Sequence, residues 1–156
     1  MHGIGCDAIF GGMDDCLFCR IANRRLSAHV LFQDELLIAF LDVFPIRPGH
    51  TLIIPKIHCD YFETVPAATA ARIMEVGQKI ARAMKEIYAV PQVAFVYTGS
   101  DIPHAHAHLL PMHDKTDITS RHYIEEKDLT FRPAPRAEEG SLAETLARLR
   151  AALLSN

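Results

Sequence analysis

The chain has 156 residues, of which 49% are hydrophobic and 22% are charged. That composition is typical of one globular domain and excludes a wholly disordered chain. With 16 Lys and Arg against 19 Asp and Glu, the net charge is −3, and a mildly acidic chain is a poor candidate for binding nucleic acid through its phosphates. No apolar run approaches the ~18–20 residues that span a bilayer, so no membrane partner is expected.

The N-terminal residues lack the features of a secretory signal. Residues 1–14 contain no basic stretch followed by a long apolar one, so we expect a cytoplasmic protein. Their glycines predict a disordered extension over residues 1–13, before a domain over residues 14–125 and a linker and helix over residues 126–156. Without a signal, the four cysteines indicate thiols or metal ligands rather than a disulfide framework.

The first half of the chain predicts strands and then a long helix. Residues 29–33 and 36–42 are rich in β-forming residues and predict a hairpin. Two prolines and a glycine make residues 44–49 a rigid turn, and residues 51–55 predict a short buried strand. Apolar residues at helical spacing after Pro66 predict a helix to about Tyr88.

The second half predicts two more strands and a last helix. Pro91 ends the long helix, and residues 93–97 predict a buried strand. Residues 103–111 contain the next strand, and residues 132–136 predict an extended linker. Ser141 and Glu144 form a capping-box pattern at the start of a helix to about Leu154. The fold class is therefore α+β, with an antiparallel sheet, one long helix and a C-terminal helix.

Three histidines at alternate positions carry the chemistry. Side chains two apart on a strand share a face, so His104, His106 and His108 are expected on one surface, with Ala105 and Ala107 on the other. Imidazoles in this arrangement can bind a metal ion, or supply a nucleophile and proton donors. A His-rich surface strand without function is the plain alternative.

Four motifs in this order resemble the histidine triad (HIT) family. They are Cys16-Leu-Phe-Cys19-Arg-Ile, Ala39-Phe-Leu-Asp42-Val-Phe-Pro45, Pro48-Gly-His50-Thr-Leu-Ile-Ile-Pro-Lys-Ile-His58 and His104-Ala-His-Ala-His-Leu-Leu. The resemblance covers about residues 14–115. It implies an HIT-like fold that is commonly a homodimer, and hydrolysis or transfer at the α-phosphate of a nucleotide.

The resemblance implies a role for each catalytic histidine. His106 matches the nucleophile, which attacks the α-phosphorus and forms a nucleotidyl-histidine that water then opens. His108 and His50 match the imidazoles that stabilise charge and assist the leaving group. The alternatives are a metal ligand for His106 and a hydrogen-bonded turn histidine for His50.

The resemblance also implies the residues of the substrate site. Asp42 matches the acid that binds the ribose hydroxyls, although it could instead cap a turn. Core packing is the alternative for the side chains expected to line the base slot: Phe18, Ile21, Phe40 and Val43. The phosphate loop is shorter than in many members, but Gly99 could form an anion-binding nest and Ser100 could donate its hydroxyl. Asp101 would repel a phosphate there, which favours a positively charged leaving group.

Cys16 and Cys19 have the spacing of half a zinc site. The resemblance points to His58 and His104 as the other two ligands of a structural zinc ion. Reduced buried thiols and a redox pair are the alternatives. The function predicted is that of an enzyme acting through His106, against a nucleotide-binding regulatory module with little turnover or a zinc-binding protein without catalysis.

Overall fold

The computed structural model describes residues 16–98, 102–114, 117–118 and 134–155. It contains three α-helices, five strands and a short 3-10 turn over Phe62–Thr64. In chain order the helices and strands are α1 (Leu17–Ala22), β1 (Val30–Gln33), β2 (Leu37–Leu41), β3 (Thr51–Pro55), α2 (Ala67–Tyr88), β4 (Val93–Thr98), β5 (His106–Pro111) and α3 (Glu139–Ser155).

The five strands form one sheet in the order β1-β2-β3-β5-β4. Every neighbouring pair is antiparallel. The predicted α+β class, the antiparallel sheet, the long helix and the C-terminal helix are confirmed. The hairpin is also confirmed, and Asp34 closes it by accepting hydrogen bonds from the backbone N–H groups of Leu36 and Leu37.

The two faces of the sheet carry different apolar clusters. Leu37, Ala39 and Leu41 on β2 belong to the larger cluster, which lies against α2 and α3. Ile38 and Phe40 on the same strand belong to the smaller cluster, with α1. Because successive side chains of a strand point to opposite faces, both faces of β2 are covered and all five of its residues are buried.

Helix α1 was not predicted from the sequence. It has only 6 residues, whereas the apolar spacing of a helix becomes a reliable signal over windows of about 11–18 residues. Phe18 and Ile21 are buried in the smaller cluster, so tertiary packing stabilises this helix. It places Cys16 and Cys19 beside the sheet, one at its N-cap and the other inside it.

The strand that carries the histidines begins at His106 rather than before His104. Residues 102–104 form a bend, and the N–H of Ala105 donates to the carbonyl of Cys59 instead of to a neighbouring strand. Ala105 and Ala107 are fully buried in the larger cluster, as the alternating pattern predicted.

Helix α3 packs on its own domain, mainly against α2. Leu142 and Leu149 are buried there, and Arg148 donates to the carbonyl of Ile87 at the end of α2. The helix begins at Glu139, two residues before the predicted capping box at Ser141. In the described part of the chain no helix has the length and apolar character needed to cross a membrane.

Gly49 is required by its backbone, and substitution there is expected to destabilise the protein. Its φ is +92°, and an added Cβ would lie 2.6 Å from the ring of Tyr88. Gly49→Ala should therefore lower the free energy of unfolding by about 1–3 kcal/mol in urea titrations. Gly140 is the control, because an added Cβ meets nothing within 4 Å. Gly140→Ala should raise stability by up to about 1 kcal/mol, and equal effects of the two variants would contradict this account.

Candidate functional site

The pairing of β3 with β5 brings two of the predicted catalytic histidines together. Leu52 lies opposite His108 in the register, and His50 is two residues before Leu52, on the same side. His50 is therefore the diagonal neighbour of His108 across the two strands. Its Nε2 lies 2.9 Å from Nδ1 of His108, so the two rings share a hydrogen bond.

The backbone fixes the tautomer of His106. Its Nδ1 lies 2.6 Å from the carbonyl oxygen of His104, and a carbonyl can only accept a hydrogen bond, so Nδ1 carries the proton. The lone pair is then on Nε2, which is the arrangement that a nucleophilic imidazole needs. The ring lies between Phe18 and His108, with centroid distances of 5.1 Å and 4.9 Å.

Asp42 contacts both the turn and His50. Its Oδ1 accepts the N–H of Phe44 at 2.8 Å, as the turn-capping alternative requires. Its Oδ2 lies 3.4 Å from Nδ1 of His50, and the N–H of Ile46 lies at the same distance from that nitrogen. Asp42, His50 and His108 therefore form a connected chain, and their potential ligand atoms lie within 4.8 Å of one another.

Burial favours the neutral forms of His50 and His108. It lowers the pKa of His108 to about 4, with smaller contributions from the neighbouring His50 and His106 rings. Burial also lowers the pKa of His50, against the opposing effect of the Asp42 carboxylate. Near neutral pH these rings can donate and accept protons without carrying a permanent charge.

A cavity of about 710 Å³ opens over these side chains. Asp42, His50, His106 and His108 line its polar part, and all four side chains predicted for the base slot line it as well: Phe18, Ile21, Phe40 and Val43. Phe18, Ile21 and Phe40 are also buried, so packing in the core and lining the cavity are compatible. Its volume is within the usual range for small-molecule sites.

A second cluster lies beside the first, on the N-terminal side of β5. The ligand atoms of Cys16, Cys19, His58 and His104 all lie within 4.8 Å of one another. Nδ1 of His104 is 3.5 Å from both sulfurs, and Nδ1 of His58 is 3.1 Å from Sγ of Cys19. The structure thus brings together the four side chains predicted as metal ligands.

The outer hydrogen bonds of this cluster suit a metal ion. Nε2 of His104 donates to the carbonyl of Pro55 at 3.0 Å, and Nε2 of His58 donates to Asp60 at 2.9 Å. Both rings therefore turn the unprotonated Nδ1 toward the thiols, as metal-bound histidines do. Burial and the adjacent Cys16 raise the pKa of Cys19 to about 12, and a cation would supply the charge that deprotonates it. The cluster can hold a metal ion.

Some predicted features fall in parts of the chain that the structure does not describe. Gly99, Ser100 and Asp101 of the phosphate loop lie outside the described residues, as does the extension over residues 1–13.

The cavity wall also contains residues that the sequence did not predict as part of the site. Ala134 and Arg136 line the same cavity as the histidines, although the sequence predicted only a linker there. No local pattern indicates this, because residues 134–136 share the cavity with Asp42 and Val43, which lie about 90 residues earlier in the chain.

Comparison with known proteins gives one family. Residues 23–115, more than half of the chain, match the family model of the HIT domain. An uncharacterized HIT-like protein of Borreliella burgdorferi is 33% identical over 106 residues, which cover 64% of this chain and 76% of that protein. The adenosine 5'-monophosphoramidase HNT1 of Saccharomyces cerevisiae is 33% identical over 101 residues, which cover 64% of each chain.

The fold is also similar to that of solved structures. One is the zinc-bound histidine triad family protein of Mycobacterium smegmatis, with a TM-score of 0.70 and 29% identity. The match covers 92% of this chain and 96% of that one. Cys16 and Cys19 precede the residues matched by the family model, whereas His58 and His104 lie inside them.

The neutral state of His108 can be measured. NMR titration of the labelled imidazole should give a midpoint near pH 4, against 6.5 for an ordinary histidine. Because the folded pKa is below the unfolded one, the stability that His108 contributes is present above about pH 6.5 and is lost as the pH falls toward 4. His108→Gln assigns the resonance, and a midpoint between 6 and 7 would contradict burial as the controlling effect.

Proposed function

We propose that this protein, which belongs to the histidine triad (HIT) family, hydrolyses or transfers nucleotides at the α-phosphate through a covalent intermediate on His106. The observation that carries the proposal is the 2.6 Å hydrogen bond from Nδ1 of His106 to the carbonyl of His104. It leaves the nucleophilic lone pair on Nε2, in a cavity large enough for a nucleotide.

The proposed reaction has two displacements at phosphorus. In the first, Nε2 of His106 bonds to the α-phosphorus while the bond to the leaving group breaks, and a proton that the His50–His108 pair has taken up from solvent passes to that group. In the second, water attacks the same phosphorus and returns a proton to the pair while the phosphorus–nitrogen bond breaks. The 2.9 Å contact between the two rings supports their sharing one proton.

Asp42 is proposed to hold the ribose and the apolar wall to hold the base. A carboxylate can accept hydrogen bonds from both vicinal hydroxyls, and Asp42 lines the cavity beside the histidines. Phe18 and Phe40 meet edge to face at 5.8 Å and offer an apolar surface to a base. The activity named for the yeast relative, adenosine 5'-monophosphoramidase, supports a nucleotide as substrate.

Zinc is the metal proposed for Cys16, Cys19, His58 and His104. Zinc with bonds of about 2.3 Å to sulfur and about 2.0–2.1 Å to nitrogen separates these atoms by about 3.5 Å in a tetrahedron. The sulfur–nitrogen distances of 3.1–3.5 Å are close to that value. The zinc-bound relative of M. smegmatis adds support. The ion would be structural and tie α1 to the segment that precedes β5.

The remaining expectations stay predictions. The homodimer is compatible with β4, an edge strand, beside which the side chain of Phe62 is 61% exposed and packs on Tyr97. The cytoplasmic location, the absence of nucleic-acid and membrane partners, and the domain limits at residues 14–125 also await measurement.

Loss of the nucleophile should abolish turnover but keep binding. His106→Asn should reduce hydrolysis of adenosine phosphoramidate by at least about a thousandfold, because the covalent route is removed, while AMP still binds by calorimetry. Wild-type protein quenched during turnover should carry a nucleotidyl adduct that mass spectrometry maps to His106. Activity of the variant within a few-fold of wild type would disprove the nucleophile. Tight binding without turnover by wild type would instead favour a regulatory module.

Purified protein should contain about one zinc ion per chain. Chelation should lower the melting temperature, because metal binding to the folded site adds to stability. Cys16→Ser should lower both metal content and melting temperature, whereas His106→Ala should retain the ion, since His106 is outside the cluster. Elemental analysis of untagged protein prepared with zinc decides the matter. Metal well below one equivalent, with no thermal response to chelator, would leave ordinary buried thiols.

A further inference from the structure

The segment before α3 forms one wall of the catalytic cavity. The N–H of Ala137 donates to the carbonyl of Val43 at 2.8 Å, which holds residues 134–138 beside the strand end that carries Asp42. Ala134 and Arg136 line the cavity together with the catalytic histidines. The buried Leu142 and Leu149 of α3 hold the segment from its C-terminal end.

Two adjacent residues of this segment, Arg136 and Ala137, have different surroundings. Ala137 packs against the larger apolar cluster of the core, while Arg136 is exposed and lines the cavity. No carboxylate within the described ranges forms an ion pair with Arg136, so its guanidinium is available to a ligand. That availability distinguishes it from Arg47, which pairs with Asp117, and from Arg72, which pairs with Asp34 and Glu75.

The charges of the cavity give Arg136 a specific role. Of the described residues that line the cavity, Arg136 is the one with a permanent positive charge and Asp42 the one with a carboxylate. Burial lowers the pKa of His50 and of His108, so these two rings add no permanent positive charge near neutral pH. A substrate with two adjacent anionic groups would therefore find one strong charge partner in this wall, and a guanidinium suits phosphate and sulfate oxygens in particular.

We propose that Arg136 determines leaving-group specificity by binding a second anionic group of the substrate, a phosphate or sulfate bonded to the α-phosphate. The inference rests on the proposed function and names its substrate class: nucleotides with an anionic leaving group are favoured over those that release an amine. It opposes the expectation from Asp101, which favoured a positively charged leaving group.

Binding without turnover tests the inference directly. In a His106→Asn background, the dissociation constants of AMP and ADP are measured by calorimetry for Arg136, Arg136→Gln and Arg136→Lys. Arg136→Gln should weaken ADP by about tenfold and AMP by less than about twofold, and Arg136→Lys should restore part of the loss. Arg82→Gln is the matched control, because Arg82 is exposed on α2, which covers the opposite face of the sheet.

Turnover by the protein with His106 intact gives the second readout. Arg136→Gln should reduce kcat/KM for adenosine 5'-phosphosulfate about tenfold more than for adenosine 5'-phosphoramidate, and added salt should weaken this difference. Equal losses for the two substrates, or for AMP and ADP, would overturn the inference and leave the proposed function standing. If no nucleotide binds to any variant, the proposed function and the inference both fail.

Discussion

The site depends on the antiparallel pairing of β3 with β5 at the centre of the sheet. Leu52 opposite His108 sets the register that puts His50 within 2.9 Å of His108. A shift of one residue would turn the histidines of β5 toward α2 and the alanines toward the cavity, because side chains alternate between faces. The buried Ala107 and Leu109 on the opposite face oppose that shift, so the packing under α2 fixes the geometry of the candidate site.

His104 connects the candidate metal cluster with the candidate nucleophile. Its carbonyl accepts the hydrogen bond that sets the tautomer of His106, and its ring lies between the carbonyl of Pro55 and the two sulfurs. Because it precedes the strand rather than lying in it, the ring can turn to the cysteines while the backbone leads into β5. A structural ion at this cluster would therefore stiffen the residue whose carbonyl orients the nucleophile.

Burial determines the electrostatics of the cavity more than charge pairing does. Desolvation depresses the pKa of both His50 and His108, although Asp42 acts in the opposite direction at His50. Neutral rings are good proton carriers and nucleophiles, but they compensate little of the charge of a nucleotide. The segment that precedes α3 supplies a guanidinium to the same cavity, and this segment lies beyond the residues matched by the family model.

The sequence by itself determined the strands and the long helix, because those signals are local. Alternation at His104–His108 and the apolar spacing of α2 are visible in short windows, and the Cys pair and Asp42 were found by motif order. Tertiary structure alone decided that Phe18 stabilises a helix too short to show a period, that His104 leaves the strand, and that Arg136 reaches the cavity. Each of these depends on packing between segments that are distant in the chain. Such contacts produce no periodic pattern in the local sequence, so they cannot be predicted from it.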